Sequence, residues 1–161
     1  CGTPSPRKEA APRGRRPKWL SHIVFGIDDP GGDFPDEPAS AADVYGLAAH
    51  ALTVINYKIR LGRGEDYQLG QGVFMKLPSS ELPRDVSGAL RYIAECWPVV
   101  DAHIEEVFFN DKEAIAEVLN AGAESFFGLK SSTFAGRQVI TIEKADIDES
   151  NVYTMMLSLV R

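Results

Sequence analysis

The chain has 161 residues, of which 44% are apolar, and its 23 acidic and 17 basic side chains give a net charge of −6. This length suits one domain with a substantial core, and the charged (25%) and aromatic (9%) fractions are those of a globular protein, which excludes disordered and fibrous classes. No stretch approaches the roughly 20 consecutive apolar residues of a membrane helix, so we predict no membrane association.

The two cysteines, Cys1 and Cys96, are too few for a disulfide framework, which favours a reduced, cytoplasmic setting. The chain begins at Cys1, and no methionine precedes Met75. We therefore expect these residues to be the C-terminal part of a longer polypeptide.

Charge is distributed unevenly along the chain. Residues 1–20 carry a net charge of +5 and four prolines, whereas the remainder carries −11. This composition predicts that residues 1–21 form a flexible, basic, proline-rich tail or linker. Such an arm can contact phosphate, but the acidic remainder argues against a main DNA-binding face.

Residues 22–38 are predicted to form a strand followed by a loop. The run His22–Ile27 is rich in β-branched and aromatic residues, and it ends in the turn signal Asp28-Asp29-Pro30-Gly31-Gly32. The carboxylates of this loop could bind a cation, although its prolines favour a solvated loop.

Residues 39–121 are predicted to form a helical domain. A helix over 41–60 has one apolar face, and Ser40 with Asp43 resembles a capping box. Further helices are expected over 84–96 and 111–120, and between them Pro98 is expected to break the helix or to start a new one. A structured, glycine-rich loop follows the first helix over 61–75.

Residues 122–161 are predicted to form a C-terminal extension with a strand at Val139–Ile142 and a helix over 148–160. The fold class is therefore mainly α with a minor β component.

The sequence contains no complete active site. The run Gly122–Ser131 superficially resembles a phosphate-binding loop. However, an extra residue between its glycines disperses the N–H groups that would bind phosphate, and a helix precedes it where the motif has a strand. His103 and Glu106 are too few to bind zinc, and no histidine accompanies Cys96 at a spacing that indicates nucleophilic catalysis. We predict no catalytic and no metal-binding residues here.

Two blocks of sequence resemble the C-terminal part of the AAA+ motor subunits of McrB type, from 5-methylcytosine-specific restriction systems. The first runs from Asn56-Tyr57-Lys58-Ile59 through Tyr67-Gln68-Leu69-Gly70-Gln71-Gly72-Val73-Phe74-Met75, and the second comprises Pro98–Val100 and Ile104–Asp111. Together they cover about residues 41–120. The chain departs from the family at Gln71, where the family has histidine, in two extra residues between Gly62 and Tyr67, and in a stretch after Pro98 that is about one helical turn longer.

The resemblance implies a helical lid subdomain of AAA+ type. Family members are NTP-driven hexameric motors that bind GTP or ATP with Mg²⁺ and act with a nuclease subunit on DNA. By that resemblance the full-length protein is a homo-oligomer that contacts DNA through other regions, and residues 22–38 include the end of the nucleotide-binding core. The phosphate-binding loop lies upstream, so this segment alone is expected to hold no cofactor and to have no activity.

The lid interpretation makes the glycine-rich loop the segment closest to nucleotide. Glycines at 70 and 72 permit close approach, and Gln68 and Gln71 can hydrogen-bond a base or ribose. The predicted nucleotide-proximal residues are Tyr67, Gln68, Gly70, Gln71 and Gly72. Two alternatives stay open: these residues only shape a turn, or the chain is a free-standing helical protein-interaction module without catalytic activity.

Overall fold

The structure is a computed structural model that describes residues 18–29 and 31–161, with side chains from residue 21 onward. The predicted basic tail lies almost entirely outside these residues. The described part contains the helices α1 (Lys18–Phe25), α2 (Ala41–Arg63), α3 (Val86–Val107), α4 (Lys112–Val118) and α5 (Val152–Val160), and the strands β1 (Gly128–Phe134) and β2 (Arg137–Glu143). It is mainly helical with one small antiparallel sheet, as predicted.

Helix α2 forms the centre of the molecule. Between Ala41 and Leu52 every residue except Ala42 is buried, so this half of the helix has no solvent-facing side. Small side chains let α1, α3 and α5 approach it closely from different directions. The predicted capping box is present, and the Asp43 carboxylate accepts hydrogen bonds from the backbone N–H groups of Ser40 and Ala39.

Helix α3 contradicts the predicted break at Pro98. The helix continues from Val86 to Val107 with Pro98 inside it. Its buried residues on both sides of the proline form one continuous face: Ile93, Trp97, Val100 and Ile104. Packing of this face against α2 outweighs the roughly 3 kcal/mol that an internal proline costs a helix.

The segment His22–Ile27 is also not the predicted strand. Residues 18–25 form α1, which ends at Gly26, where φ is +67° and the N–H donates to the His22 carbonyl. The ring centroid of Phe25 lies 4.9 Å from that of Tyr45 and 5.5 Å from that of Phe74. A short apolar run is compatible with either a buried strand or a helix, and here packing against α2 stabilises the helix.

The C-terminal extension contains a hairpin of which the sequence predicted only one strand. Strand β2 includes the predicted Val139–Ile142, and β1 pairs with it from Gly128–Glu143 to Phe134–Arg137. Ala135 and Gly136 close the turn with φ values of +52° and +74°. β2 packs on α4, whose N-cap is Asp111, and α5 begins at Val152, four residues later than predicted.

Candidate nucleotide-proximal site

The glycine loop, defined here as residues 64–75, begins where α2 ends. Gly64 has a φ of +107°, and its N–H donates to the carbonyls of Arg60 and Ile59. Two short 3₁₀ turns follow, Glu65–Tyr67 and Gln71–Phe74. The chain therefore reverses direction as an ordered loop, as the sequence predicted, and not as a linker.

The middle of the loop is held by the side chain of Asn56, a half-buried residue of α2. Its Nδ2 donates to the Leu69 carbonyl at 2.9 Å, and its Oδ1 accepts from the Leu69 N–H at 2.7 Å. Gln68 adds a third link, because its Nε2 donates to the Asn56 carbonyl at 3.3 Å. Both polar backbone groups of Leu69 are thus fixed to the central helix.

Helix α3 holds the two ends of the loop. Near the beginning, Nε2 of His103 lies 2.5 Å from the Tyr67 carbonyl. Near the end, the Tyr92 hydroxyl donates to the Phe74 carbonyl at 2.5 Å and accepts from the Leu77 N–H at 3.2 Å. Burial raises the pKa of Tyr92, which keeps this hydroxyl protonated and able to donate.

Between these anchors the loop presents Gly70, Gln71 and Gly72 to solvent. A Cβ added at Gly70 or Gly72 would meet nothing within 4 Å, and neither residue has a positive φ. At Gly70 φ is −76°, which every amino acid adopts readily. The fold of the described residues therefore gives no reason for glycine at these two positions.

The five predicted site residues divide into two groups. Gly70, Gln71 and Gly72 lie together on the exposed side of the loop. Tyr67 is half exposed and contributes its carbonyl to the contact with His103, and the Gln68 amide donates back to α2. The structure thus brings three of the five to one surface and uses Gln68 to fix the loop.

The cations beside this surface are engaged with the protein. Lys76 Nζ donates to the Glu95 carbonyl at 2.9 Å, and Arg63 Nε donates to the Val107 carbonyl at 3.1 Å. Val107 ends α3, so its carbonyl is one of those without a partner inside the helix, and Arg63 satisfies it. Among the described residues there is no cluster of three or more histidine, cysteine or acidic side chains that could hold a metal ion.

The acidic side chains near His103 and those in the loop after α1 have structural contacts. Asp101 and Glu105 both bind Lys144, Asp101 at 2.7 Å, and they join α3 to the segment after β2. Burial alone would lower the pKa of Lys144, but its hydrogen bonds to the two carboxylates outweigh that effect and raise it. In the acidic loop Asp29 is buried and accepts from Ser21 Oγ at 2.9 Å.

Two further candidates from the sequence also have ordinary structural surroundings. Cys96 is fully buried, and burial raises the pKa of its thiol, which opposes nucleophilic reactivity. Lys130 belongs to the run Gly122–Ser131 that superficially resembles a phosphate-binding loop. It lies on β1 and forms an ion pair with Glu143 at 3.3 Å.

The sequence analysis predicted no role for Asn56 beyond its place in the first block of the resemblance, whereas in the structure it fixes the loop. A polar amide following the apolar Val54 and Ile55 on a buried helix is the signal that could have identified it, because such a group needs a partner. Tyr92 gave no comparable signal, since a tyrosine at an apolar helix position is explained by core packing alone.

No family model matches the chain, and no curated protein or solved structure matches it at a significant level. Among the helices of the described residues, none combines the length and the hydrophobicity needed to cross a membrane.

Proposed function

We propose that the chain is the helical lid region of a McrB-type AAA+ NTPase and that its glycine loop lies beside a GTP or ATP molecule bound by a core outside residues 18–161. The observation that carries this proposal is the contact between Asn56 and Leu69. Through these hydrogen bonds the two parts of the first block of the resemblance, N-x-K-I and the glycine segment, contact each other in the fold.

The exposed glycines support the same interpretation. Because Gly70 and Gly72 have neither a neighbour within 4 Å of an added Cβ nor a positive φ, internal packing does not account for them. Close approach of a bound molecule to the backbone does account for them, since any side chain would intervene. A nucleotide base or ribose beside the loop would find the backbone groups of residues 70–72 and the Gln71 amide as hydrogen-bonding partners.

The lid would supply binding and positioning, and the core would supply the chemistry. Bound Mg²⁺ would neutralise phosphate charge, as it does in NTPases generally. In this chain Asn56, Tyr92 and His103 keep the loop in one conformation, so movement of the helices carries the loop with them. In the hexameric ring that the resemblance implies, such movement would couple hydrolysis to a nuclease partner and to DNA held elsewhere.

The first test is the coding sequence upstream of Cys1. An in-frame extension that contains G-x-x-x-x-G-K-[ST] after a strand supports the proposal, and an upstream stop codon that leaves no room for a core refutes it. This measurement needs no assumption about folding.

The second test separates a ligand role of the glycines from a structural one. In the polypeptide that includes the core, Gly70→Ala with Gly72→Ala should lower kcat/KM for GTP or ATP by about tenfold or more, because the methyl groups occupy the approach path. Gly-to-Ala changes at compatible φ values should leave the fold as stable or up to about 1 kcal/mol more stable. Ser132→Ala, on the exposed hairpin, is the matched control. Unchanged turnover in the glycine variant would show that the loop is not beside the nucleotide.

A second candidate, a free-standing protein-interaction module, is favoured by one observation. Ile23 and Met75 are more than half exposed and, with Leu77, line a pocket of about 200 Å³ between α1 and the end of the glycine loop. An apolar surface of this kind is typical of a partner contact. This candidate predicts that Met75→Ser weakens partner binding while added nucleotide changes nothing.

A further inference from the structure

We propose that the groove between α2 and α4 binds Phe109 from a second copy of this chain, so that two copies form a two-fold dimer. This inference does not depend on the NTPase proposal, because the groove is lined by residues of α2, α4 and the α3–α4 turn and by none of the glycine loop.

The groove is an open cavity of about 350 Å³. It is mostly apolar, and its lining residues come from α2, the α3–α4 turn and α4: Tyr57, Leu61, Gly62, Phe108, Ala114 and Val118. Gly62 lets α2 approach the Phe108 ring, since an added Cβ would lie 2.8 Å from that ring. A cavity of roughly 150 Å³ already accommodates a benzene ring, so this groove can receive a phenylalanine side chain.

The side chain that fits the groove lies next to it. Phe109 follows Phe108 in the α3–α4 turn and is 76% exposed. Leu61, on the groove rim, is 62% exposed. In a dimer with two-fold symmetry each copy contributes one exposed ring and one groove. Phe109 of each copy can therefore enter the groove of the other.

The charges at the rim have the same self-complementary distribution. The α2 side carries Lys58 and Arg63, and the α4 side is net acidic, with Asp111, Glu113 and Glu117 against Lys112. Arg63 lies 4.0 Å from Asp111, and Lys58 Nζ donates to the Glu117 carbonyl. A two-fold rotation that seats Phe109 in the opposite groove sets the basic side of one copy against the acidic side of the other. A partner with charge of one sign would match only half of this rim.

The patch is small, which sets the expected affinity. About ten residues contribute on each side, against 20–30 in an interface of standard size. We therefore expect a dissociation constant on the order of 10–100 µM, with the phenylalanine rings as the main contributors to binding energy.

The test is sedimentation velocity of the 161-residue chain without nucleotide, from about 1 µM to about 1 mM, a range that brackets the expected affinity. The informative variant is Phe109→Ser, and its matched control is Phe134→Ser, because Phe134 at the hairpin tip is also 76% exposed. Ala114→Trp fills the groove and tests the other half of the contact. Circular dichroism and thermal unfolding establish that each variant is folded.

The proposal expects a monomer–dimer equilibrium that Phe109→Ser and Ala114→Trp each weaken at least tenfold and that Phe134→Ser leaves unchanged. A monomer over the whole concentration range would overturn it. A dimer that survives Phe109→Ser, or that only Phe134→Ser disrupts, would overturn it as well and would assign the contact to another surface. A further variant, in which a photoreactive benzoyl-phenylalanine replaces Phe109, should form cross-links between isotopically distinct copies at Leu61 or Val118.

Discussion

The side chain of Asn56 and the backbone of Leu69, 13 residues apart, form a closed pair of hydrogen bonds. The amide donates to the Leu69 carbonyl and accepts from the Leu69 N–H, so it replaces the partner that a neighbouring strand would provide in a sheet. Leu69 is only half-buried, yet its backbone is fully satisfied. This contact makes the glycine loop an extension of α2.

Asn56→Leu should therefore loosen the loop without disturbing the core. The side chain keeps its size but loses both hydrogen bonds, which should cost about 1–3 kcal/mol of unfolding free energy. The Leu69 amide should exchange with solvent at least tenfold faster, as measured by hydrogen-exchange NMR. Gln138→Leu, which removes a hydrogen bond to Ser131 Oγ on the exposed hairpin, is the control. Unaltered exchange at Leu69 would show that the loop is held by other contacts.

Gly62 and Gly70 should respond in opposite directions to the same substitution. A Cβ at Gly62 would lie 2.8 and 2.9 Å from two atoms of the buried Phe108 ring, whereas a Cβ at Gly70 meets nothing. Overpacking of roughly 1–3 kcal/mol should exceed the gain of about 1 kcal/mol in helix propensity, so Gly62→Ala destabilises. Gly70→Ala should stabilise by about 0.4–1 kcal/mol. Urea unfolding of both variants measures the difference, and equal signs would contradict it.

The elements that the sequence predicted well are those whose signal is long and repetitive. Helix α2 repeats its apolar residues over six turns and has a capping box at Ser40, and its observed start matches the prediction. The run His22–Ile27 is too short to distinguish strand from helix. The predicted helix break at Pro98 is wrong, because the packing of buried residues on both sides of the proline outweighs its cost to the helix.

The parts that could not be predicted depend on distant residues. Strand β1 contains Ser131, Ser132 and Thr133 in exposed positions, so it has no apolar alternation to indicate a strand. Its existence depends on pairing with β2. The loop was predicted to be structured because apolar residues flank its glycines. Its fixation by Asn56, His103 and Tyr92 could not be inferred from spacing, since those residues are brought together only by the packing of α3 on α2.

Tyr45 should make stability depend on alkaline pH. Its hydroxyl donates to the Pro83 carbonyl at 2.7 Å, and burial is the main reason that the pKa of Tyr45 rises from 10.0 to about 12. Between pH 10 and 12 the unfolded chain releases this proton while the folded chain retains it, so stability is fully present below pH 10 and is lost as pH rises towards 12. The expected slope is about 1.4 kcal/mol per pH unit.

The comparison of wild type with Tyr45→Phe isolates that contribution. The variant should be less stable near neutral pH by about 1 kcal/mol, because it lacks the hydrogen bond to Pro83. Above pH 10 its stability should fall less steeply than that of the wild type, so the two profiles of unfolding free energy against pH should meet and then cross below pH 12. Parallel pH profiles would show that Tyr45 ionises alike in the folded and unfolded states.

His103 should occupy a single neutral tautomer. A carbonyl oxygen can only accept, so the contact of 2.5 Å with Tyr67 requires the proton on Nε2. Nitrogen-15 shifts of the imidazole at alkaline pH should therefore show a protonated Nε2 and an unprotonated Nδ1. His103→Phe should accelerate amide exchange in residues 65–68 and leave Leu69, held by Asn56, protected. A dominant Nδ1–H tautomer would be incompatible with this contact.

Pro98→Ala should stabilise the protein. Alanine restores an N–H that can donate to the Ala94 carbonyl and removes the clash of the proline ring, and these two effects together make up a propensity penalty of up to about 3 kcal/mol. Loss of proline's rigidity from the unfolded chain offsets about 0.4–1 kcal/mol. The expected net gain is about 1–2 kcal/mol, measured by thermal unfolding, with Val99→Ala, at the exposed neighbouring position, as control. Destabilisation by Pro98→Ala would mean instead that α3 needs the geometry imposed by the proline to place Trp97 and Val100 in the core.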